Sequence, residues 1–196
     1  MKIVIIGGNG TVGGVASRAL AEHGQALALS RSTTPAVDLE DPESVSTALE
    51  AVGPVDALVV AVGSAPFTSV PEATEDDFQA AFTGKPLKQL TVAARGLPHV
   101  RDGGSITLTS GIIGRERIAK GALGGMANGA IDAFVHAAAP EMPRGIRINA
   151  VSPNVLESSP GHHPLFPGFT PVSDELVGRA YIRAVTGLDS GRVFTV

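Results

Sequence analysis

Three glycines at three-residue spacing, Gly7, Gly10 and Gly13, follow the apolar run Ile3 to Ile6 and lead into a stretch of helical period through Val15, Ala19 and Leu20. Strand, glycine turn and helix, in that order, form a cradle for a dinucleotide. Gly7 permits a sharp turn, Gly10 lets the backbone approach a pyrophosphate, and Gly13 allows the helix to pack closely on the strand. Asn9, Thr11 and Val12 complete the turn, and the helix N-terminus faces the anion. The plain alternative is a glycine turn with a purely structural job; its place at the first strand-to-helix junction argues for the nucleotide. The end of the second strand selects the dinucleotide, because a carboxylate there accepts from the adenosine ribose whereas an arginine pairs with a 2′-phosphate. This chain has Ser30-Arg31-Ser32 there and no carboxylate until Asp38, so NADP(H) is expected rather than NAD(H).

Other residues offer chemistry as well. Phe78, Ala81, Phe82 and Lys85 share one helical face, and Pro86 is expected to break the helix, leaving Lys85 at a kink beside the core. Desolvation there would lower the lysine pKa and fit it for proton transfer near neutral pH; the alternative is a lysine that snorkels to solvent. His162 and His163 are adjacent in an irregular, proline-rich stretch, Asn154 to Val172. With no carboxylate cluster to complete a zinc site, they read as solvated loop residues, and no metal is expected. Thr74 with Asp77 reads as a helix capping box.

These residues need elements to hold them. Short runs rich in Val and Ile recur at Lys2 to Ile6, Ala26 to Leu29, Val55 to Val62, Ser105 to Thr109, Ile146 to Val151 and Arg192 to Val196. Segments of helical period lie between them, as where Asp41 can cap, Pro42 fits the first turn, and Val45, Ala48, Leu49 and Val52 share a face. Alternating strands and helices imply right-handed crossovers and a parallel sheet covered on both sides. The expected fold is α/β, a Rossmann-type doubly wound parallel sheet in three layers (α/β/α), with residues 1–196 as a single domain.

Composition bounds the partners. The 196 residues, 43% of them hydrophobic, suit one filled core, and the net charge of −4 carries no basic cluster, so neither nucleic acid nor an anionic membrane is an expected partner. There is no cysteine, which excludes disulfides and thiolate chemistry and suits the cytoplasm. No run approaches the roughly 18–20 apolar residues of a membrane span, and a soluble chain is expected.

Taken along its whole length, the chain resembles the short-chain dehydrogenase/reductases. Val37-Asp38-Leu39 resembles their adenine-contacting step, with Asp38 and Leu39 at the contacts, and Val60-Ala61-Val62-Gly63 resembles their Asn-Asn-Ala-Gly turn, placing Ala61 and Gly63 beside the cofactor. The segment from Gly104 to Ser110 is similar to the strand that ends in the catalytic serine. Gly145 to Pro153 is similar to the late segment that precedes a nicotinamide-contacting loop, which implies Pro153 and Val155 in cofactor binding. The family's chemistry rests on a tyrosine and a lysine four residues later. Here the alignment puts Gly124 and Asn128 at those positions, and the one tyrosine, Tyr181, lies in the last helix, so the chain resembles a small atypical subgroup. Lys85 falls where the family has a catalytic asparagine. The resemblance therefore implies Ser110, Lys85 and Asn128 as the catalytic candidates, a small carbonyl or imine substrate, and a homo-oligomer, dimer or tetramer, through the small-surfaced helix from Gly121 to Ala139. The competing readings are a cofactor-binding sensor or partner-binding module without turnover, and a non-redox eliminase or isomerase using Lys85 as base.

Overall fold

The computed structural model describes residues 1–196, the side chain of Pro42 excepted. Six strands, β1 (Lys2–Ile6), β2 (Gln25–Leu29), β3 (Val55–Val60), β4 (Val100–Thr109), β5 (Arg147–Ser152) and β6 (Val193–Thr195), form one parallel sheet in the order β2-β1-β3-β4-β5-β6. Every strand run read from the sequence is present. β4 begins five residues earlier than its apolar run, because Val100 already pairs with Val55 across a register shift.

Six helices cover the sheet: α1 (Thr11–Leu20), α2 (Pro42–Val52), α3 (Glu75–Phe82), α4 (Lys88–Gly96), α5 (Ala122–Ala138) and α6 (Asp174–Thr186). Side chains of a strand alternate between faces, and two cores result. Val4 and Ile6 pack with Val45, Leu49, Val92 and Ile131 of α2, α4 and α5, whereas Ile3 and Ile5 pack with Val15, Leu20, Val177 and Tyr181 of α1 and α6. That arrangement is the three-layer, doubly wound fold expected. Two local signals act as read, Asp41 accepting from Glu43 N to cap α2 and Thr74 with Asp77 forming a capping box on α3, and α6 is capped by Ser173, which accepts from Leu176 N.

Winding starts at β1, from which the chain runs to β2 on one side and returns to β3 on the other. Ligands of such sheets bind outside the carboxyl ends of the strands at this switch point. No helix among the described residues is long and apolar enough to cross a membrane.

Pro86 does not break its helix, contrary to the sequence expectation. Thr83–Leu87 form a π-helical turn that joins α3 to α4 with Pro86 buried inside it. Widening the turn separates the proline ring from the carbonyl it would meet in an α-helix, so the chain stays helical and is only re-aimed. The face that Phe78, Ala81 and Phe82 share is only partly buried: Ala81 is buried, but Phe78 and Phe82 are 44% and 43% exposed.

Candidate active site

The first half of the site is the glycine turn. Gly7 sits at φ +86°, and Gly10 N donates to Gly7 O at 2.9 Å to close the turn. A Cβ on Gly13 would stand 2.1 Å from Gly7 O, so the absence of a side chain is what lets α1 begin against the turn. Gly10 caps α1 without a side-chain hydrogen bond, and no acidic residue lies in the first turn. The first amides of α1 are therefore free for an anion, with the helix dipole favouring one. A dinucleotide pyrophosphate fits this cradle.

Beyond the turn, a groove of about 260 Å³ is lined by Gly7, Ser30, Arg31, Asp38, Leu39 and Val62 among others. Asn9 Nδ2 donates to Ser30 Oγ at 3.0 Å, and Ser30 Oγ lies 3.1 Å from Ser32 Oγ. Arg31 is exposed beside these hydroxyls, and among the described residues it has no salt-bridge partner. A guanidinium and two hydroxyls at one rim form a ready anion site. Ala61 lies in the turn after β3, where its carbonyl backs against Gly7.

The second half is a cleft of about 280 Å³ lined by residues from three loops, the π turn and two helices, among them Thr11, Val12, Gly63, Pro153 and Val155 of the predicted cofactor set and Lys85, Ser110 and Asn128 of the predicted catalytic set. The sheet and its helices bring all eight together. Ser110 N donates to Val151 O and Ile112 N to Pro153 O, each at 2.9 Å, which ties the ends of β4 and β5. Gly63 has φ +94°, and a Cβ there would stand 2.6 Å from Lys85 Cα, so its bare backbone lets the loop after β3 lie directly on the π turn. That turn aims Lys85 inward, and Gln89, fully buried one turn later, donates to Val62 O and Thr109 O and accepts from Thr109 N.

Lys85 Nζ donates to Asn128 Oδ1 at 2.7 Å and to Ser110 O at 3.1 Å. Burial pulls its pKa down to about 8, opposed by the negative charge of Asp132. The hydroxyl Oγ of Ser110 is buried and, among the described residues, has no hydrogen-bond partner. A buried orphan hydroxyl is costly unless a ligand, a water or a small turn toward the neighbouring Asp132 carboxyl satisfies it.

Asp132 was not singled out in the sequence. It lies four residues after Asn128 on α5, and burial raises its pKa while the Ser110 hydroxyl, Arg115 and Lys85 favour its ionised form. Its Oδ1 is buried without a hydrogen-bond partner at this geometry, so the hydroxyl acts on it as a neighbouring dipole. The available signal was its isolation, since Asp132 is the one acid between Ala122 and Ala138. His162 was read as solvated; it is exposed and also lines the rim of the cleft, while His163 Nε2 bonds Leu156 O at 2.8 Å. Tyr181 is fully buried under the opposite face of the sheet, 2.6 Å from Thr109 Oγ1, and burial pushes its pKa up. It does not line the cleft.

Comparison with known proteins follows the same outline. The family model described as Enoyl-(Acyl carrier protein) reductase matches residues 11–187. The structure of the protein lin1944 from Listeria innocua is 40% identical, with a TM-score of 0.95 over 100% of this chain and 99% of that one. A small-chain dehydrogenase solved in complex with NADPH is 27% identical, with a TM-score of 0.85 over 99% of this chain and 95% of that one. L-xylulose reductase from Mesocricetus auratus is 32% identical over 132 residues, 65% of this chain and 54% of that protein. Versicolorin reductase from Emericella nidulans is 31% identical over 127 residues, 62% of this chain and 48% of that protein. The chain spans about half the length of the curated relatives it matches. Because the family match runs from the first residue of the helix after the glycine turn to the residue that follows the last helix, the chain belongs to the short-chain dehydrogenase/reductase family of nicotinamide-dependent oxidoreductases.

Proposed function

We propose that this chain is an NADP(H)-dependent reductase of a small carbonyl-type substrate with a non-standard active site, in which Gly124 and Asn128 stand where the family has its tyrosine and lysine. The observation that carries the reading is the arrangement at the cleft floor, where the Lys85 ammonium is held by Asn128 Oδ1 and Ser110 O beside the unpartnered Ser110 hydroxyl.

When bound, the nicotinamide supplies or accepts the hydride. The Ser110 hydroxyl donates to the substrate oxygen and orients it. Lys85, its pKa lowered by burial to about 8, gives its proton to that oxygen as negative charge develops there. Asn128 fixes the Nζ position, and Asp132 favours the charged lysine. The turn amides of α1 bind the pyrophosphate, and Asp38, Leu39 and the Arg31 rim receive the adenosine end.

Calorimetric titration with NADPH and, separately, NADH tests the cofactor half. Micromolar binding that prefers NADPH is expected. Arg31→Ala is expected to weaken NADPH by roughly 10–100-fold, the value of a charged hydrogen-bond pair, and to leave NADH unchanged. Binding of neither nucleotide would remove the reading.

A second reading, a cofactor-binding protein without turnover, is favoured by the burial of Tyr181 away from the cleft. Failure to turn over any of a broad carbonyl panel despite NADPH binding would move it to first place. Both readings include a homo-oligomer. Phe78 and Phe82 on α3 and Met126 and Phe134 on α5 are exposed on helices that pack side by side, an apolar surface that a second copy would cover. Light scattering is expected to give a dimer or tetramer mass, and Phe134→Glu to return it to the monomer; a monomeric parent chain would remove this part.

A further inference from the structure

We infer that the cleft selects an uncharged, ring-bearing aldehyde or ketone, gripped between Phe67 and Phe166 with its carbonyl directed at Lys85 and Ser110. The inference rests on the carbonyl-reductase reading and names the substrate class for that site.

Aromatic rings enter the cleft from two separate loops. Phe67 stands on the loop between β3 and α3 and is 40% exposed. Phe166 comes from the proline-rich stretch before α6, and a T-shaped contact with Phe169, ring centroids 5.7 Å apart, fixes its orientation. Part of the exposed Phe67 ring lines the cleft, apolar area that a cleft occupant would cover.

A third wall comes from α5. Gly124 has no side chain, and a Cβ there would stand 2.4 Å from Ile113 Cδ1, so Ile113 lies directly over the bare helix. The wall at this point of the helix is therefore the branched aliphatic side chain of Ile113. Leu156, 4% exposed, closes the wall beside Phe166.

Charge points the same way. Among the described residues lining the cleft, the ionisable ones are Lys85 at the floor and His162 at the rim, with no arginine, aspartate or glutamate. Two donor positions of Lys85 are already taken by Asn128 and Ser110. A carboxylate or phosphate away from the reacting carbonyl would meet no arginine or second lysine, and although Thr11, Ser64, Asn154 and Ser159 also line the cleft, the larger part of its wall is apolar, which favours a ring over a polyol. Size sets a further limit. About 280 Å³ lies just below the usual range of ligand pockets, roughly 300–1,000 Å³, and the nicotinamide end of the cofactor would share it, so a single ring is the natural occupant.

The test measures turnover and binding separately. With NADPH as donor, kcat/KM is compared for cyclohexanone, benzaldehyde, pyruvate and L-xylulose, and the NADPH complex is titrated with the same compounds. The expected result is a kcat/KM at least about 100-fold higher for the two ring compounds. Phe67→Ala and Phe166→Ala are each expected to raise KM for cyclohexanone about tenfold, with kcat and NADPH affinity unchanged, since the rings bind ground and transition state alike. Both residues lie in loops, and a thermal melt confirms that each variant folds. Preference for pyruvate or L-xylulose, or a KM indifferent to both substitutions, overturns the inference while leaving the reductase reading in place. Tight binding of the ring compounds without turnover does the reverse: it supports the apolar ring site and removes the reductase reading.

Discussion

Lys85→Met is expected to lower NADPH-dependent turnover by about 10²–10⁴-fold, the usual contribution of a positioned acid, with NADPH affinity unchanged. Methionine preserves the apolar stem and removes the proton, so the loss should appear in kcat and not in cofactor binding. Steady-state kinetics with calorimetry on the same preparation checks it, and unaltered turnover would exclude Lys85 as the acid. The pH dependence follows from the lysine pKa of about 8. Carbonyl reduction needs the protonated form, so its rate should be level below pH 8 and fall above it, whereas the reverse oxidation should rise through the same range. Removing the negative charge with Asp132→Asn withdraws support for the ammonium, so the falling limb should move to lower pH. Stability carries the matching sign. The folded state favours the neutral lysine, so the unfolded chain binds more protons between pH 8 and the ordinary lysine value of 10.5. Stability therefore rises with pH across that window, and the cost of burying the charged form is present in full below it.

Gly13→Ala is expected to damage fold and cofactor site together. Its Cβ would meet Gly7 O at 2.1 Å and Gly7 C at 2.7 Å, and backbone atoms cannot swing aside as a side-chain tip can. Relief requires α1 to move off the turn, at a cost of about 1–3 kcal/mol, which for a chain of this length lowers Tm by roughly 2–12 °C. The same movement displaces the amides at the start of α1, so NADPH affinity should fall as well. Gly10→Ala separates the two effects. There a Cβ would stand 3.3 Å from Gly7 O, so the fold should tolerate it while nucleotide binding suffers from a methyl in the cradle. Equal stability of the Gly13 variant and the parent in a thermal melt would mean that the turn is not under this constraint.

The sequence by itself determined the sheet, because runs such as Ile3 to Ile6 and Ala57 to Val60 are apolar on both faces and can be satisfied only between two helical layers. It determined the cradle as well, since Gly7, Gly10 and Gly13 act on their own immediate backbone, and it determined the helix starts at Asp41 and Thr74, where a cap and its amide lie within three residues. Only the tertiary structure decided the centre of the site. Lys85 reaches Asn128 across 43 positions of chain and Ser110 across 25, and no periodicity reports a contact between elements that meet only when β4 and the helices on its face are assembled. Pro86 was misleading for a related reason, since the usual penalty for proline in a helix is avoided by a π turn that tertiary packing holds open. Asp132 and Phe67 stayed hidden because each is ordinary in its own segment, an acid on a helix and a phenylalanine in a loop. Their significance comes from the burial of one beside Lys85 and the exposure of the other at the cleft, both of which are properties of the folded neighbourhood.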